Sequence, residues 1–344
     1  MTSMRISDYS YELPDKQIAI FPPKERGSSQ LLVLDRRSRQ ISHKKYSDIS
    51  DYLNKGDVIV LNNTKVIKAR LLATNTSGQQ RELLLLEDHH NIDFHRRKVL
   101  YRGKIIAGET LLVKQTPITV EDVLDGGIAE ISSAINLLEL ADHEGAVPLP
   151  PYIHRETTAE DVKRYQTIFA KEAGSVAAPT ASLNFTTELE QKLRAKGVQI
   201  AYLTLHVGLG TFLPIRSDKI EDHDMHSEYF EIPAETVNIL QNTVLNSSRI
   251  VALGTTVTRT LEFASGQIFK KPVLNISGEA NIFIYPGYKF KIVNTMITNF
   301  HSPKSTVLMM AAAFAGWDNL SHAYQEALNK KYMFLSYGDS MLIL

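Results

Sequence analysis

The chain has 344 residues, 43% apolar and 22% charged, with 38 basic and 38 acidic side chains balancing to a formal net charge of zero. That is the make-up of an ordinary globular protein, long enough for two or three domains or for one large α/β domain with an insertion. It contains no cysteine, which excludes thiolate nucleophiles, disulfides, Cys-ligated zinc and iron–sulfur clusters and leaves any chemistry to His, carboxylates, Lys, Tyr or hydroxyls.

Global neutrality offers no sign of a nucleic-acid partner, although a local basic face is compatible with one. Residues 1–14 carry Asp8 and Glu12 and lack the apolar stretch of a signal peptide. The longest apolar run, 307–315, is far short of the roughly 20 residues that span a bilayer. The expectation is a soluble, cytoplasmic protein with no membrane partner.

In chain order, Leu31-Leu32-Val33-Leu34 predicts a strand, followed by a polar hairpin and another strand at 57–61. Over residues 62–148 short apolar runs (82–86, 98–101, 110–113, 127–131) alternate with Gly and charged turns, with little helical period before 133–141. This texture predicts a small all-β module, closed by the rigid Pro148-Leu149-Pro150-Pro151. Helix and strand then alternate. A helix is predicted over 186–196, with Leu189 and Leu193 inward and Gly197 as its stop, and a strand over 198–206. A helix over 233–245 should turn Val237, Leu240 and Val244 inward. A strand at 249–253, a helix at 256–264, strand through most of 290–300 and a buried helix at 304–314 complete the pattern.

Four apolar runs end in dense knots of small, hydroxyl and ionisable residues, at 178–185, 206–212, 254–259 and 298–306. In α/β folds ligands sit beyond the carboxyl ends of strands, so the knots should converge on one pocket and mark an enzyme. Gly254-Thr255-Thr256-Val257-Thr258-Arg259 sits between a strand and a helix, where free amides and hydroxyls bind anions and Arg259 adds a bidentate donor; helix capping by the threonines is the plainer reading. His301-Ser302-Pro303-Lys304-Ser305-Thr306 ends like a phosphate loop but lacks its glycines, leaving His301 and Lys304 as substrate contacts.

Asp222-His223-Asp224-Met225-His226-Ser227-Glu228 is the densest ionisable cluster, suited to acid–base work, to a metal, or to nothing beyond a solvated loop. Gly208 and Gly210, after His206, allow close backbone approach to a ligand but do not make a dinucleotide fingerprint. On the β module, Phe94-His95-Arg96-Arg97-Lys98 with Tyr101-Arg102-Gly103-Lys104 is a basic patch interleaved with aromatics, suited to an RNA backbone or simply to solvent.

Taken in order, these motifs resemble the S-adenosylmethionine:tRNA ribosyltransferase-isomerases of queuosine biosynthesis over nearly the whole chain. The segments that carry the resemblance include Asp8-Tyr9-Ser10-Tyr11-Glu12-Leu13-Pro14, Gly56-Asp57-Val58-Ile59-Val60-Leu61-Asn62-Asn63-Thr64-Lys65 and Pro148-Leu149-Pro150-Pro151-Tyr152-Ile153. They continue with Tyr165-Gln166-Thr167, Val176-Ala177-Ala178-Pro179-Thr180-Ala181, the 206–212 and 222–228 segments, Ile282-Phe283-Ile284-Tyr285-Pro286-Gly287, Thr298-Asn299-Phe300-His301 and Ser336-Tyr337-Gly338-Asp339.

The resemblance implies an α/β fold, an unclosed α/β barrel-like main domain (1–62 and 151–344) with an inserted small β-barrel domain (63–150). It implies transfer and isomerisation of the ribosyl part of S-adenosylmethionine onto 7-aminomethyl-7-deazaguanine at the wobble position of tRNA. The products would be epoxyqueuosine-tRNA, adenine and methionine. S-adenosylmethionine is then a ribosyl-donating substrate, with no permanently bound cofactor, no metal, and a monomer acting on tRNA. A sulfonium acidifies its neighbouring C–H, so a positioned base suffices to start such a reaction.

On this reading His226 or His206 is the base, with Glu228 orienting it or serving as the acid. Arg259, Thr255 and Thr256 hold the methionine carboxylate or ribose hydroxyls, with Thr180, Asn184, Gly208 and Gly210 as further substrate contacts. His301 and Lys304 stand at the rim, and Asp339 anchors an amine. The chain departs from the family's pattern at Ser182 and Asn184 (usually Gly and His), at Val257-Thr258 (usually Ser-Val), at Gln30 (commonly Arg) and at Lys68 (usually Pro). Asn184 cannot take a proton, which admits a non-catalytic, tRNA-binding relative as an alternative. A metal-dependent hydrolase built on His223, His226 and Glu228 is another.

Overall fold

The computed structural model describes residues 4–87, 93–208, 210, 215 and 217–344. Nine strands form one mixed sheet: β1 (Gln30–Leu34), β2 (Ile41–Lys45), β3 (Val58–Asn62), β12 (Gln199–Leu205), β13 (Glu228–Ile232), β14 (Ile250–Leu253), β15 (Ile276–Ala280), β16 (Thr295–Asn299) and β17 (Ser340–Ile343). Their order is β15-β13-β12-β3-β14-β16-β17-β1-β2, with edges at β15 and β2 that do not meet. The neighbouring strands β12, β3, β14 and β16 are parallel, while β17 runs antiparallel to β16 and parallel to β1. All five residues of β3, Val-Ile-Val-Leu-Asn, are buried, as expected for a strand covered on both faces.

Helices cover both faces. Thr187–Ala195 is capped by Thr186, whose Oγ1 accepts from the Leu189 amide at 3.1 Å, and it buries Leu189 and Leu193. Thr306–Ala315 is almost wholly apolar and buried. In Ala234–Leu245, Val237 and Leu240 face the core as expected, but Val244 is 45% exposed. It shares the face of Val237 and Leu240 by spacing but sits in the last turn beside the 79% exposed Leu245, where the helix end stands out of the core.

The run 290–300 is strand only over β16. The amides of Lys291, Ile292 and Val293 donate instead to the buried Glu262 carboxylate, at 2.8, 3.0 and 2.9 Å, so no sheet partner is needed there.

Six further strands are β5 (Arg70–Thr74), β6 (Gln80–Leu85), β7 (Arg96–Arg102), β8 (Thr110–Val113), β9 (Thr116–Leu124) and β10 (Ile128–Ser132). They close a barrel in the order β10-β7-β6-β5-β8-β9. Strands such as Thr-Leu-Leu-Val in β8 alternate exposed and buried residues, placing Leu111 and Val113 inside with Leu71, Leu83, Val99, Ile118 and Ile131. The chain leaves the main body after β4 (Thr64–Val66) and returns through β11 (Glu172–Ser175), and these two strands pair in parallel. No helix among the described residues is long and apolar enough to cross a membrane.

Candidate active site

At the carboxyl ends of the central parallel strands the chain encloses a cavity of about 560 Å³, a size typical of small-molecule sites. The four knots do converge there: Thr180, Val207, Thr255, Thr256, Arg259, His301 and Lys304 all line it, together with His226 and Glu228. Leu209, Thr211 and Phe212 of the second knot lie outside the described residues.

Two helices direct their N-termini into this space. Thr255–Phe263 starts abruptly after β14 because Gly254 adopts φ 103°, and Thr306–Ala315 starts after Ser305, whose Oγ accepts from the Leu308 amide at 3.2 Å. The amides of a first helical turn have no intrahelical acceptors and carry the positive end of the dipole, so a carboxylate or phosphate is stabilised there. Lys304 stands exposed at the mouth.

The opposite wall holds a chain of charge. Glu228 opens β13 and is buried; its Oε2 accepts from Arg259 Nη1 at 2.6 Å and its Oε1 from the Gly208 amide at 3.2 Å. His226 Nε2 lies 3.5 Å from the same Oε1. Burial alone would raise the Glu228 carboxyl, but the contact with His226, the Arg259 charge and the Gly208 amide together hold it below the usual range, so it is ionised. Arg259 is fully engaged within the wall. It also donates to the carbonyls of His226 and of Ala280, the latter at 2.8 Å, and only its Nε is left without a partner.

His226, its side chain a quarter exposed, thus lines the cavity with the Glu228 carboxylate fixed behind it. Gly210 packs so closely on its ring that a Cβ there would lie 2.0 Å from Cγ.

A polar cluster occupies the far end, and it includes His301, which lies there with its ring desolvated and not at the rim where the resemblance put it. The Tyr152 hydroxyl is bonded to Ser336 Oγ and, buried, is pushed up to about 12. Tyr165 is fully buried beside it. Asn299 gives its Nδ2 to the Leu335 carbonyl at 3.1 Å, which fixes the amide and leaves Oδ1 as a buried acceptor without a protein partner. His301 bonds Thr298 Oγ1 through Nε2 at 2.8 Å, and burial lowers it to about 3, so it is neutral. The two tyrosines are separated in sequence from every knot, and only the proline punctuation at 148–151 hints at a turn into the site.

Other expected site residues lie elsewhere. His206 is buried behind the wall, its Nδ1 2.7 Å from Thr64 Oγ1 and its ring stacked on Tyr229. Gly208 serves Glu228, as above. Asn184 is buried outside the cavity, donating to the Gly338 carbonyl at 3.2 Å. Asp339 accepts from the backbone amides of Gln30 and Met333, at 2.6 and 2.7 Å, and belongs to a neighbouring groove.

His223 packs edge-on against Phe283, and no three His, Asp or Glu side chains among the described residues are grouped to hold a metal ion. The basic patch of the barrel is a mosaic: Arg96 lies 3.7 Å from Glu121, Lys98 pairs across from Glu130, Arg102 from Glu82, and Arg97 is buried.

Comparison with known proteins places the whole chain. Residues 6–343 match the family model described as queuosine biosynthesis protein. The chain is 50% identical over 342 residues to the S-adenosylmethionine:tRNA ribosyltransferase-isomerase of Chlorobaculum parvum, covering 99% of this chain and 100% of that one. It is 52% identical over 344 residues, with the same coverage, to the protein of that name from Chlorobium chlorochromatii. It is also similar to a crystal structure of an S-adenosylmethionine tRNA ribosyltransferase from Thermotoga maritima, with TM-score 0.56, 35% identity, and 98% and 100% of the two chains covered.

Proposed function

The chain belongs to the queuosine biosynthesis protein family, and on that premise we propose that it is an S-adenosylmethionine:tRNA ribosyltransferase-isomerase whose chemistry is run by His226. The acceptor is the aminomethyl group of 7-aminomethyl-7-deazaguanine at the tRNA wobble position. The products are epoxyqueuosine-tRNA, adenine and methionine.

The observation that supports this reading is the line Arg259–Glu228–His226 facing two helix N-termini across one cavity. His226 takes a proton from the ribose carbon beside the sulfonium. The imidazolium so formed is stabilised by Glu228, which stays ionised because Arg259 holds it. Adenine leaves as its bond to the ribose breaks, and the proton on His226 is available to it. The acceptor amine bonds to the ribosyl unit and loses one N–H proton, which the imidazole left neutral by adenine's departure can take, and methionine departs with the electron pair of the broken carbon–sulfur bond. Glu228 is thus a positioning residue and not the acid.

The methionine carboxylate sits at the N-termini of Thr255–Phe263 and Thr306–Ala315, helped by Thr180 and the threonine hydroxyls. Asn299 Oδ1 accepts from a ring N–H. Lys304, at the mouth, meets a tRNA phosphate. Asn184 and Ser182 stand apart from the cavity lining, which supports the catalytic reading over the binding-only alternative.

The test is one reaction. The protein is mixed with S-adenosylmethionine and tRNA bearing the deazaguanine precursor, and the digested nucleosides are weighed. The expected result is a nucleoside heavier by the rearranged ribosyl unit, with adenine in equal amount. Binding of tRNA without adenine release would overturn the catalytic reading.

A further inference from the structure

A second, open groove of about 610 Å³ lies beside the catalytic cavity. Because β17 runs antiparallel to β16, the starts of β17 and β1 fall at the same edge of the sheet as the ends of β14 and β16. One turn divides the two spaces: Leu335 and Ser336 line the cavity, while Met333, Tyr337 and Asp339 line the groove. A ligand larger than the cavity that extends along this edge toward β1 reaches the groove.

The groove has features that folding does not account for. Phe21 lies at its lip 57% exposed, next to Ile20 at 43%, although large apolar side chains are normally withdrawn from water. The Arg155 guanidinium, itself paired to Asp161, lies 4.2 Å from the Phe21 ring centroid and holds the ring at the lip while more than half of it stays exposed. On the floor, Ser29 is 7% exposed and its Oγ has no hydrogen-bond partner, while the next residue, Gln30, donates its amide to Asp339. Lys16 is exposed on the rim. An aromatic platform, an unused polar group at the bottom and a cation at the edge together match an unpaired nucleotide: a base to stack, an edge to bond and a phosphate to neutralise.

We propose that this groove seats an unpaired tRNA nucleotide flanking the one whose base enters the catalytic cavity, stacked on Phe21 with its edge toward Ser29. The inference rests on the functional reading above and extends it to how the anticodon loop is held.

The test uses the full chain and an RNA stem-loop carrying the precursor base, intact or with an abasic site at either flanking position. Phe21→Ala should weaken stem-loop binding roughly tenfold, as loss of one base–aromatic stack does, while the KM for S-adenosylmethionine stays unchanged. One abasic position should weaken wild type to the same extent and weaken Phe21→Ala little further. Phe21→Trp should bind at least as well as wild type, which guards against a folding artefact.

Unchanged binding by Phe21→Ala, or losses that multiply when both changes are combined, would overturn the proposal while conversion by wild type continues. A wild-type protein that neither binds nor converts the intact stem-loop would overturn the parent reading, and this one with it.

Discussion

His226 Nε2 lies 3.5 Å from Glu228 Oε1, and the other oxygen of that carboxylate is held 2.6 Å from Arg259 Nη1. The buried pair thus fixes a negative charge behind a cavity-facing imidazole. Replacing His226 by Ala should lower the rate of adenine release by about 10²–10⁴-fold, the usual range for a general base, with tRNA affinity retained. Glu228→Gln should lower kcat with little change in KM. Turnover near wild type in both variants would remove His226 from the chemistry.

Arg259 is needed for stability as well as for geometry. Arg259→Leu leaves Glu228 buried without a counter-charge and should destabilise the fold by about 3–5 kcal/mol in urea unfolding. Adding Glu228→Gln to that variant should recover part of the loss. If the single and double variants unfold at the same urea concentration, the ion pair is not what makes Arg259 structurally necessary.

Gly210→Ala places a methyl group where the His226 ring now lies, 2.0 Å from Cγ. The ring must move, and displacement of a reacting group by about 1 Å costs on the order of a hundredfold in rate. The expected variant is folded by circular dichroism, binds S-adenosylmethionine and turns over slowly.

His301 is lowered to about 3 by burial. A histidine that resists protonation in the folded state takes up more protons when unfolded between that value and its ordinary pKa near 6.5. Stability is therefore full above that ordinary value and is lost as pH falls through the window, by at most about 1.4 kcal/mol per pH unit. His301→Gln should flatten the acid limb of a stability–pH curve measured from pH 7 to pH 4. An unchanged limb would show that His301 is already protonated in the fold.

Gln30 offers Asp339 only amide donors, and burial raises that carboxyl above its usual range. Such a group lends stability below its ordinary pKa that is lost as pH rises through the folded value. Gln30→Arg supplies a cation and should stabilise the protein at pH 7 by roughly 1 kcal/mol, read as a raised Tm. A lower Tm would mean that the guanidinium cannot reach the carboxylate.

Much of the fold is legible from residue patterns, and the failures have physical causes. The barrel shows itself because its strands bury one face and alternate with period two, and the parallel strands because they are apolar throughout. Three knots meet as expected because β12, β14 and β16 are parallel and share an edge, while the 178–185 knot arrives from β11 of the separate β4–β11 pair. Which member of a knot faces the ligand is hidden. His206 and His226 look alike in sequence and fall at the same edge, yet only the second lines the cavity, because the His206 ring is turned to Thr64 and Gly174 at the β4–β11 pair. Arg259 and Asp339 read as ligand contacts, but their partners, Glu228 and the amides of residues 30 and 333, are remote in the chain. Tyr152 and Tyr165 lie outside every knot and become site residues only through tertiary neighbours.

The pairing of β4 with β11 has a further consequence. The outgoing and returning strands are bonded side by side, about 5 Å apart as adjacent strands are, so the excursion over residues 67–171 opens and closes at a single seam. An ancestral sheet could have gained such an excursion by lengthening one connection, with no change to the order of its nine strands. Within the excursion the barrel strands occupy only residues 70–132, so a laboratory graft confined to them could exchange the barrel and leave Tyr152, Tyr165 and the Arg259–Glu228–His226 line in place.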